Sequence, residues 1–275
     1  MSARPPILIL HVAGTNRDRE AAWACELAGG APEIVHLNQL LAGERRLADY
    51  RMLLLPGGFS YGDDLGAGKL WAVALRYRLG DDLAAFIAAG RPVLGICNGF
   101  QALVKAGLLP GVGGREAGAG DWEGGAGGGA LSQVFTLTRN DSARFECRWV
   151  YLAPQPNSPC IFTRGLAEPI ACPVAHGEGK FVARDAGGLA ALEAAGLVAL
   201  RYTGPDAGPA PYPWNPNGSQ NDIAGICNPQ GNVLGLMPHP EDHIIPAQHP
   251  HYHRGERGMT GLALFRNGVK HAAEL

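Results

Sequence analysis

Arg91-Pro92-Val93-Leu94-Gly95-Ile96-Cys97-Asn98-Gly99-Phe100-Gln101-Ala102-Leu103-Val104-Lys105-Ala106-Gly107 is the stretch around which this chain is organised. A short β-branched and leucine run ends at Cys97. Apolar residues at helical spacing, Phe100, Leu103, Val104 and Leu108, follow at once, so a strand passes directly into a helix. Cys97 occupies the corner. Gly95 and Gly99 complete a Gly-x-nucleophile-x-Gly pattern, in which glycines let backbone segments approach closely while one side chain is held up in a strained turn. This is a nucleophile elbow with cysteine in place of serine. A helix N-terminus at that point favours thiolate over thiol, and its unpaired N–H groups supply half an oxyanion hole. The same pattern also fits a buried apolar cysteine at a strand end, so the rest of the chain has to decide.

At 275 residues the chain is near the upper size for one hydrophobic core, and its 46% hydrophobic content is that of an ordinary globular protein. The expectation is one domain over residues 1–275, with insertions. A formal net charge of −2 and the absence of a long basic run argue against nucleic acid and anionic membranes as partners. Six cysteines are scattered without a Cys-x-x-Cys pair, against both a zinc site and a disulfide framework. The run Pro5 to Leu10 is too short for a signal peptide and no stretch approaches a membrane span. A cytoplasmic protein with reduced thiols is expected. The 40 glycines and 21 prolines concentrate in two places, about residues 111–130 and 204–218. Both read as surface loops or partly disordered insertions.

Ile7 to Val12 reads as a strand covered on both faces, and Arg17 to Leu27 as the helix after it. Strands at Glu33 to Leu37, Tyr50 to Leu55 and Pro92 to Ile96 follow, with helices at Lys69 to Leu79 and Asp81 to Ala89. Alternating strands and helices predict an α/β fold with a mostly parallel central sheet flanked by helices. The loop Pro56-Gly57-Gly58-Phe59-Ser60-Tyr61-Gly62-Asp63-Asp64 then leaves the same C-terminal sheet edge as Cys97, where such folds place their sites. Gly57 and Gly58 can turn N–H groups outward there as the second oxyanion donor.

Antiparallel strands are predicted in the second half, at Leu131 to Thr138, Phe145 to Leu152 and Val198 to Tyr202. Ile170 to Ala175 and Phe181 to Ala183 read as a possible hairpin around His176-Gly177-Glu178-Gly179-Lys180. Arg144 to Trp149 reads as an edge strand. The clearest hairpin is Ile223 to Cys227 with Val233 to Leu236, and Thr260 to Ala273 closes the chain as a helix. The last hairpin strand runs into Met237-Pro238-His239-Pro240-Glu241. Each proline biases its predecessor toward extended geometry, and extended residues two apart point the same way. His239 and Glu241 therefore stand together, and with Cys97 they would make a Cys-His-Glu triad in which histidine takes the thiol proton and later gives it to a leaving amine.

On these motifs the chain resembles the class I (triad) glutamine amidotransferases, which have a flavodoxin-like α/β fold. Within that class it is similar to the glutaminase subunits of phosphoribosylformylglycinamidine (FGAM) synthase of purine biosynthesis. The elbow and Pro238-His239-Pro240-Glu241 mark the class; Gly57 to Asp63, Cys97 to Gln101 and His176 to Gly179 mark the narrower likeness, and Gly218 to Gly225 is a further stretch that carries the resemblance. The resemblance implies that Cys97 attacks the side-chain amide of L-glutamine, giving a thioester and ammonia, with Gly58 and Asn98 N–H groups holding the oxyanion. It also implies that Gly57, Phe59, Gln101, His176 and Gly177 bind glutamine. Asp63 to Leu70 only approximates a phosphate-binding Gly-x-x-x-x-Gly-Lys-Ser/Thr loop. No cofactor is therefore expected in this chain; ATP and Mg are expected on a separate synthetase subunit that converts FGAR to FGAM, and a small accessory subunit is a further expected partner.

Rival readings remain at this level: a glutaminase serving another amidotransferase, an α/β hydrolase, a redox or chaperone-like cysteine protein, and a non-catalytic scaffold. The hydrolase reading fits poorly, because its acid precedes its histidine in the chain. His249-x-His251-x-His253 could face a metal, but no cysteine or carboxylate framework surrounds it, and no metal is expected.

Overall fold

The computed structural model describes residues 4–111 and 134–275. The glycine-rich stretch expected at 111–130 thus lies outside the described residues apart from Gly111, as does the start of the strand read from Leu131. Strands that do not alternate apolar with polar need cover on both faces. β1 (Pro6–His11) is buried from Ile7 to Leu10, and β3 (Met52–Leu55) and β4 (Val93–Ile96) are buried throughout. They lie side by side and parallel, with β2 (Ala31–His36) beyond β1.

The crossovers are helical. α1 (Asp18–Leu27) joins β1 to β2; α2 (Leu37–Leu41) leads toward β3; α3 (Lys69–Arg78) and α4 (Gly80–Ala88) join β3 to β4; α5 (Asn98–Lys105) follows β4. Right-handed crossovers that move outward in opposite directions from β1 put α1 on one face and α3 with α5 on the other. The second half adds β5 (Phe135–Thr138), β6 (Glu146–Pro154), β7 (Ile170–His176), β8 (Lys180–Ala183), α6 (Ala186–Ala194), β9 (Val198–Thr203), β10 (Ile223–Cys227), β11 (Val233–Leu236) and α7 (Leu262–Glu274), which packs beside α1.

The main sheet runs β2-β1-β3-β4-β11-β10-β9-β6-β7, and β5 with β8 forms a separate ribbon. Pairing is parallel from β2 through β11 and antiparallel from β11 outward. The pairing that matters most is β4 with β11: Gly95 lies opposite Gly235 and Ile96 opposite Leu236. Cys97 N–H continues it, donating to Leu236 O at 2.8 Å. Two strand ends that are 140 residues apart in the chain are thereby level.

Two sequence expectations change. Ile170 to Ala175 and Phe181 to Ala183 do not form a hairpin: β7 pairs with β6, while β8 pairs with β5. The intervening loop is held instead by Asn140, whose side chain donates to His176 O at 2.8 Å and accepts from Gly179 N–H at 3.0 Å. Arg144 to Trp149 leads into β6 and has the single neighbour of an edge there: among the described residues β6 is bonded to β7 from Glu146 and gains β9 on its other side only over Tyr151–Pro154. The 204–218 stretch is only partly a surface loop. Asn215 and Asn217 are buried, Asn217 donating to Tyr202 Oη at 3.0 Å and Asn215 to Ser219 O at 2.9 Å.

Candidate active site

Cys97 closes β4 at φ +50°, ψ −105°, a sparsely populated conformation that costs a non-glycine residue about 1–3 kcal/mol. Packing enforces the turn. A Cβ on Gly99 would lie 2.0 Å from Leu55 O of β3, so only glycine lets α5 start this close to the sheet. The Cys97 thiol is 4% exposed and lies 3.8 Å from Ala175 O, to which it can donate. It stands at the N-terminus of α5, where the helix dipole favours negative charge.

His239 follows β11 and is 2% exposed; its Nδ1 lies 2.7 Å from Glu241 Oε1. The pair does not arise from an extended segment as expected. Pro240 opens a 3-10 turn over Pro240–Asp242, and the turn brings the Glu241 carboxylate back to the ring. His239 N–H donates to Pro173 O of β7 at 2.8 Å. With Nδ1 engaged by the carboxylate, Nε2 is the free ring position: it is buried and has no hydrogen bond of ordinary geometry among the described residues. Burial works against the charged imidazole. Glu241 and the neighbouring Cys97 thiol outweigh it and hold His239 well above its usual value.

The loop after β3 carries the other half. Gly58 has φ +147°, and a Cβ there would meet Gly14 O at 2.6 Å and Thr15 Cα at 2.8 Å. The loop lies against residues 13–16 through Phe59 N–H to Gly14 O at 2.9 Å, Tyr61 N–H to Ala13 O at 2.7 Å and Asn16 N–H to Gly57 O at 3.3 Å. The N–H groups of Gly58 and Asn98 donate no hydrogen bond among the described residues. Gly57 packs directly on the His239 ring, since a Cβ there would lie 2.5 Å from Cε1.

Of the glutamine-binding candidates, Gln101 is already committed within the chain. It accepts from the Asn98 side chain at 3.0 Å and donates to Glu178 O at 2.6 Å. The Asn98 amide also donates to Asp63 Oδ1 at 3.1 Å, and its oxygen accepts from Ser60 N–H at 3.0 Å. Asp63, Glu178 and Lys105 thus join one network that anchors both site loops to α5; Lys105 Nζ lies 4.0 Å from Glu178 Oε2 and bonds Ala67 O. His176 is buried, with Nδ1 3.2 Å from Asn140 Oδ1 and Nε2 unpartnered among the described residues. Burial, with some repulsion from His239, pushes it down to about 3. The Gly177 carbonyl accepts from Asn140 N–H at 3.0 Å. Phe59 is exposed and its ring stacks on Phe145 at 6.3 Å. Sequence reading missed Asn140 and Lys105, whose roles depend on contacts with distant segments and leave no local pattern.

His249, His251 and His253 do not converge. His249 meets Trp149, His243 and His251 through ring contacts, while His253 lies against Tyr252. Among the described residues the group with ligand atoms within 4.8 Å of one another is His239, Glu241 and Asp242, and its imidazole nitrogen and carboxylate are already paired.

Fold and site together define an α/β protein with a cysteine at a strand-to-helix elbow, a histidine–carboxylate pair on the neighbouring strand end and a glycine loop beside both. The CobB/CobQ-like glutamine amidotransferase domain family matches residues 4–272. The chain belongs to that family. It is 49% identical to a phosphoribosylformylglycinamidine synthase subunit PurQ of Treponema denticola over 98% of this chain and 99% of that one. The subunit of the same name from Dehalococcoides mccartyi is 44% identical, with 98% of each chain covered. Among solved structures, PurLQS from Thermotoga maritima has a chain that superposes with a TM-score of 0.68 at 32% identity, covering 98% of this chain and 99% of that one. No helix among the described residues is long and apolar enough to cross a membrane.

Proposed function

We propose that this chain is the glutaminase subunit of a phosphoribosylformylglycinamidine synthase. Cys97 is its nucleophile, His239 the proton carrier and Glu241 the group that orients the imidazole. The Cys97 thiolate attacks the side-chain carbonyl carbon of L-glutamine, forming the C–S bond and an oxyanion. The Gly58 and Asn98 N–H groups bind that oxyanion, an interaction worth about 3–4 kcal/mol per donor. Imidazolium Nε2 protonates the departing nitrogen as the C–N bond breaks, releasing ammonia and leaving a thioester. Neutral His239 then takes a proton from water, which cleaves the thioester to glutamate, and the proton returns to sulfur.

Gly57, Phe59, His176 and Gly177 line the substrate side. Gln101 holds Asn98 and the loop at Glu178 in place. Ammonia passes to a synthetase subunit that binds ATP and Mg and converts FGAR to FGAM in the cytoplasm, with a small accessory subunit completing the complex.

The reading rests on one observation above the others. The β4–β11 register sets Cys97 and His239 at adjacent strand ends, in a chain 49% identical to a subunit of that name. It is tested by adding a glutamine-mimicking diazoketone to the full chain and mapping the modified peptide, and by following glutamate release with and without the synthetase. An adduct on Cys97, lost in Cys97→Ser, and turnover stimulated by the loaded synthetase are expected. No adduct, or an adduct elsewhere, overturns the assignment.

A further inference from the structure

The His239–Glu241 pair is not the whole charge set at this corner. Asp242, next in the 3-10 turn, places a carboxylate oxygen within 4.8 Å of both a His239 ring nitrogen and a Glu241 oxygen. Two carboxylates therefore lie close to one imidazole, and of the two it is Glu241 that is bonded to it. The other is drawn away by Arg17, whose Nε lies 3.4 Å from Asp242 Oδ2 while one terminal nitrogen lies 3.5 Å from Glu20. The stem of the same arginine borders the oxyanion loop, its Cγ 3.5 Å from the place a Gly57 Cβ would occupy. Its neighbour Asn16 bonds Gly57 O. One residue at the start of α1 thus stands beside the glycine loop and pairs with the histidine-bearing turn.

We propose that Arg17 and Asp242 form a positioning pair that ties the oxyanion loop to the turn carrying His239 and Glu241 and balances the charge around the thiolate and imidazolium. Neither touches substrate. The groups facing Asp242 are Glu241, His239, Arg17 and Glu20, and the buried Cys172 thiol also feels its charge. Burial, then Glu241, pushes the Asp242 carboxyl up to about 6, with His239 and Arg17 opposing. It is therefore largely ionised above that pH. Without the guanidinium an uncompensated negative charge would stand beside the site and disfavour thiolate.

The inference rests on the glutaminase reading, and the full chain reconstituted with its synthetase tests it. Arg17→Met keeps the stem on Gly57 and removes the charge. It should lower kcat about ten-fold, in the range of coupled neighbours, with KM for glutamine within two-fold. The acid limb of Cys97 alkylation by iodoacetamide should move to higher pH. Arg17→Lys should recover most of the activity, and Arg17→Met with Asp242→Asn should be more active than Arg17→Met alone. A thermal melt of each variant identifies any that fails to fold, and the double variant then carries the comparison. The inference falls if Arg17→Met stays within two-fold of wild type, if only KM changes, or if the double variant is no better than the single. Absence of turnover in wild type would remove the glutaminase reading itself, whereas wild-type turnover with an indifferent Arg17→Met removes only this pair.

Discussion

Gly57→Ala separates the placement of the imidazole from the integrity of the fold. Gly57 is outside the left-handed region that would strain a side chain, unlike Gly58 at φ +147°, so alanine is conformationally permitted there. What it meets is the His239 ring: Cε1 at 2.5 Å and Nδ1 at 3.3 Å. Ordinary contact begins near 3.4 Å, so the ring must retreat by roughly 0.9 Å or the loop must lift by as much. The ring has little freedom, since Glu241 holds Nδ1 at 2.7 Å and Pro173 holds the His239 N–H at 2.8 Å. The loop is bonded to residues 13–16.

A misplacement of about 1 Å at a reacting group costs about 100-fold in rate. We expect Gly57→Ala to lower kcat for glutamine hydrolysis by that order, with diazoketone labelling of Cys97 slowed in parallel. The melting temperature should fall by only a few degrees, as overpacking one methyl costs about 1–3 kcal/mol. A variant that keeps kcat within three-fold of wild type would refute the reasoning, because it would show that the imidazole need not stand where this structure holds it.

Other outcomes follow from buried charge. Glu241 is fully buried, with Oε2 unpartnered among the described residues, so Glu241→Gln should cut kcat by about 100-fold to 10,000-fold through loss of the imidazole's orienting charge, and urea unfolding should show a loss of about 3–5 kcal/mol, because the buried imidazolium is left without its counter-charge. Full activity, or unchanged stability, would contradict the carboxylate's role. His176, pushed down to about 3 from an ordinary 6.5, stays neutral when folded but takes a proton when unfolded at acid pH. Stability should therefore fall as pH drops from about 6.5 toward 3, at up to about 1.4 kcal/mol per pH unit. Asp242, raised to about 6, works the other way, its contribution being present at low pH and lost as pH rises through 6. Comparing wild type with His176→Gln by denaturant unfolding isolates the first effect; identical slopes would rule it out.

Much of this architecture is legible in the residues alone. The unbroken apolar runs of β1, β3 and β4 announce a parallel sheet, the Gly-x-Cys-x-Gly corner announces a strand entering a helix, and Asn228 to Asn232 announces the β10–β11 hairpin. These are local facts, in which each side chain's face is set by neighbours two to four residues away. The likeness to the amidotransferases rests on such short motifs too.

Tertiary structure decided what the motifs meet. Nothing near Val93 or Val233 specifies that β4 and β11 pair in the register that levels Cys97 with Leu236, and nothing near Ile170 sends β7 away from β8 to lay Pro173 and Ala175 carbonyls against His239 and Cys97. Even the His239–Glu241 contact, expected from an extended strand, is made by a 3-10 turn. The contact of Arg17 with Asp242 spans most of the chain. Sequence periodicity assigns each segment a face to bury, but the partner that covers it is selected by packing across the whole core, and it is at those selected junctions that the site is assembled.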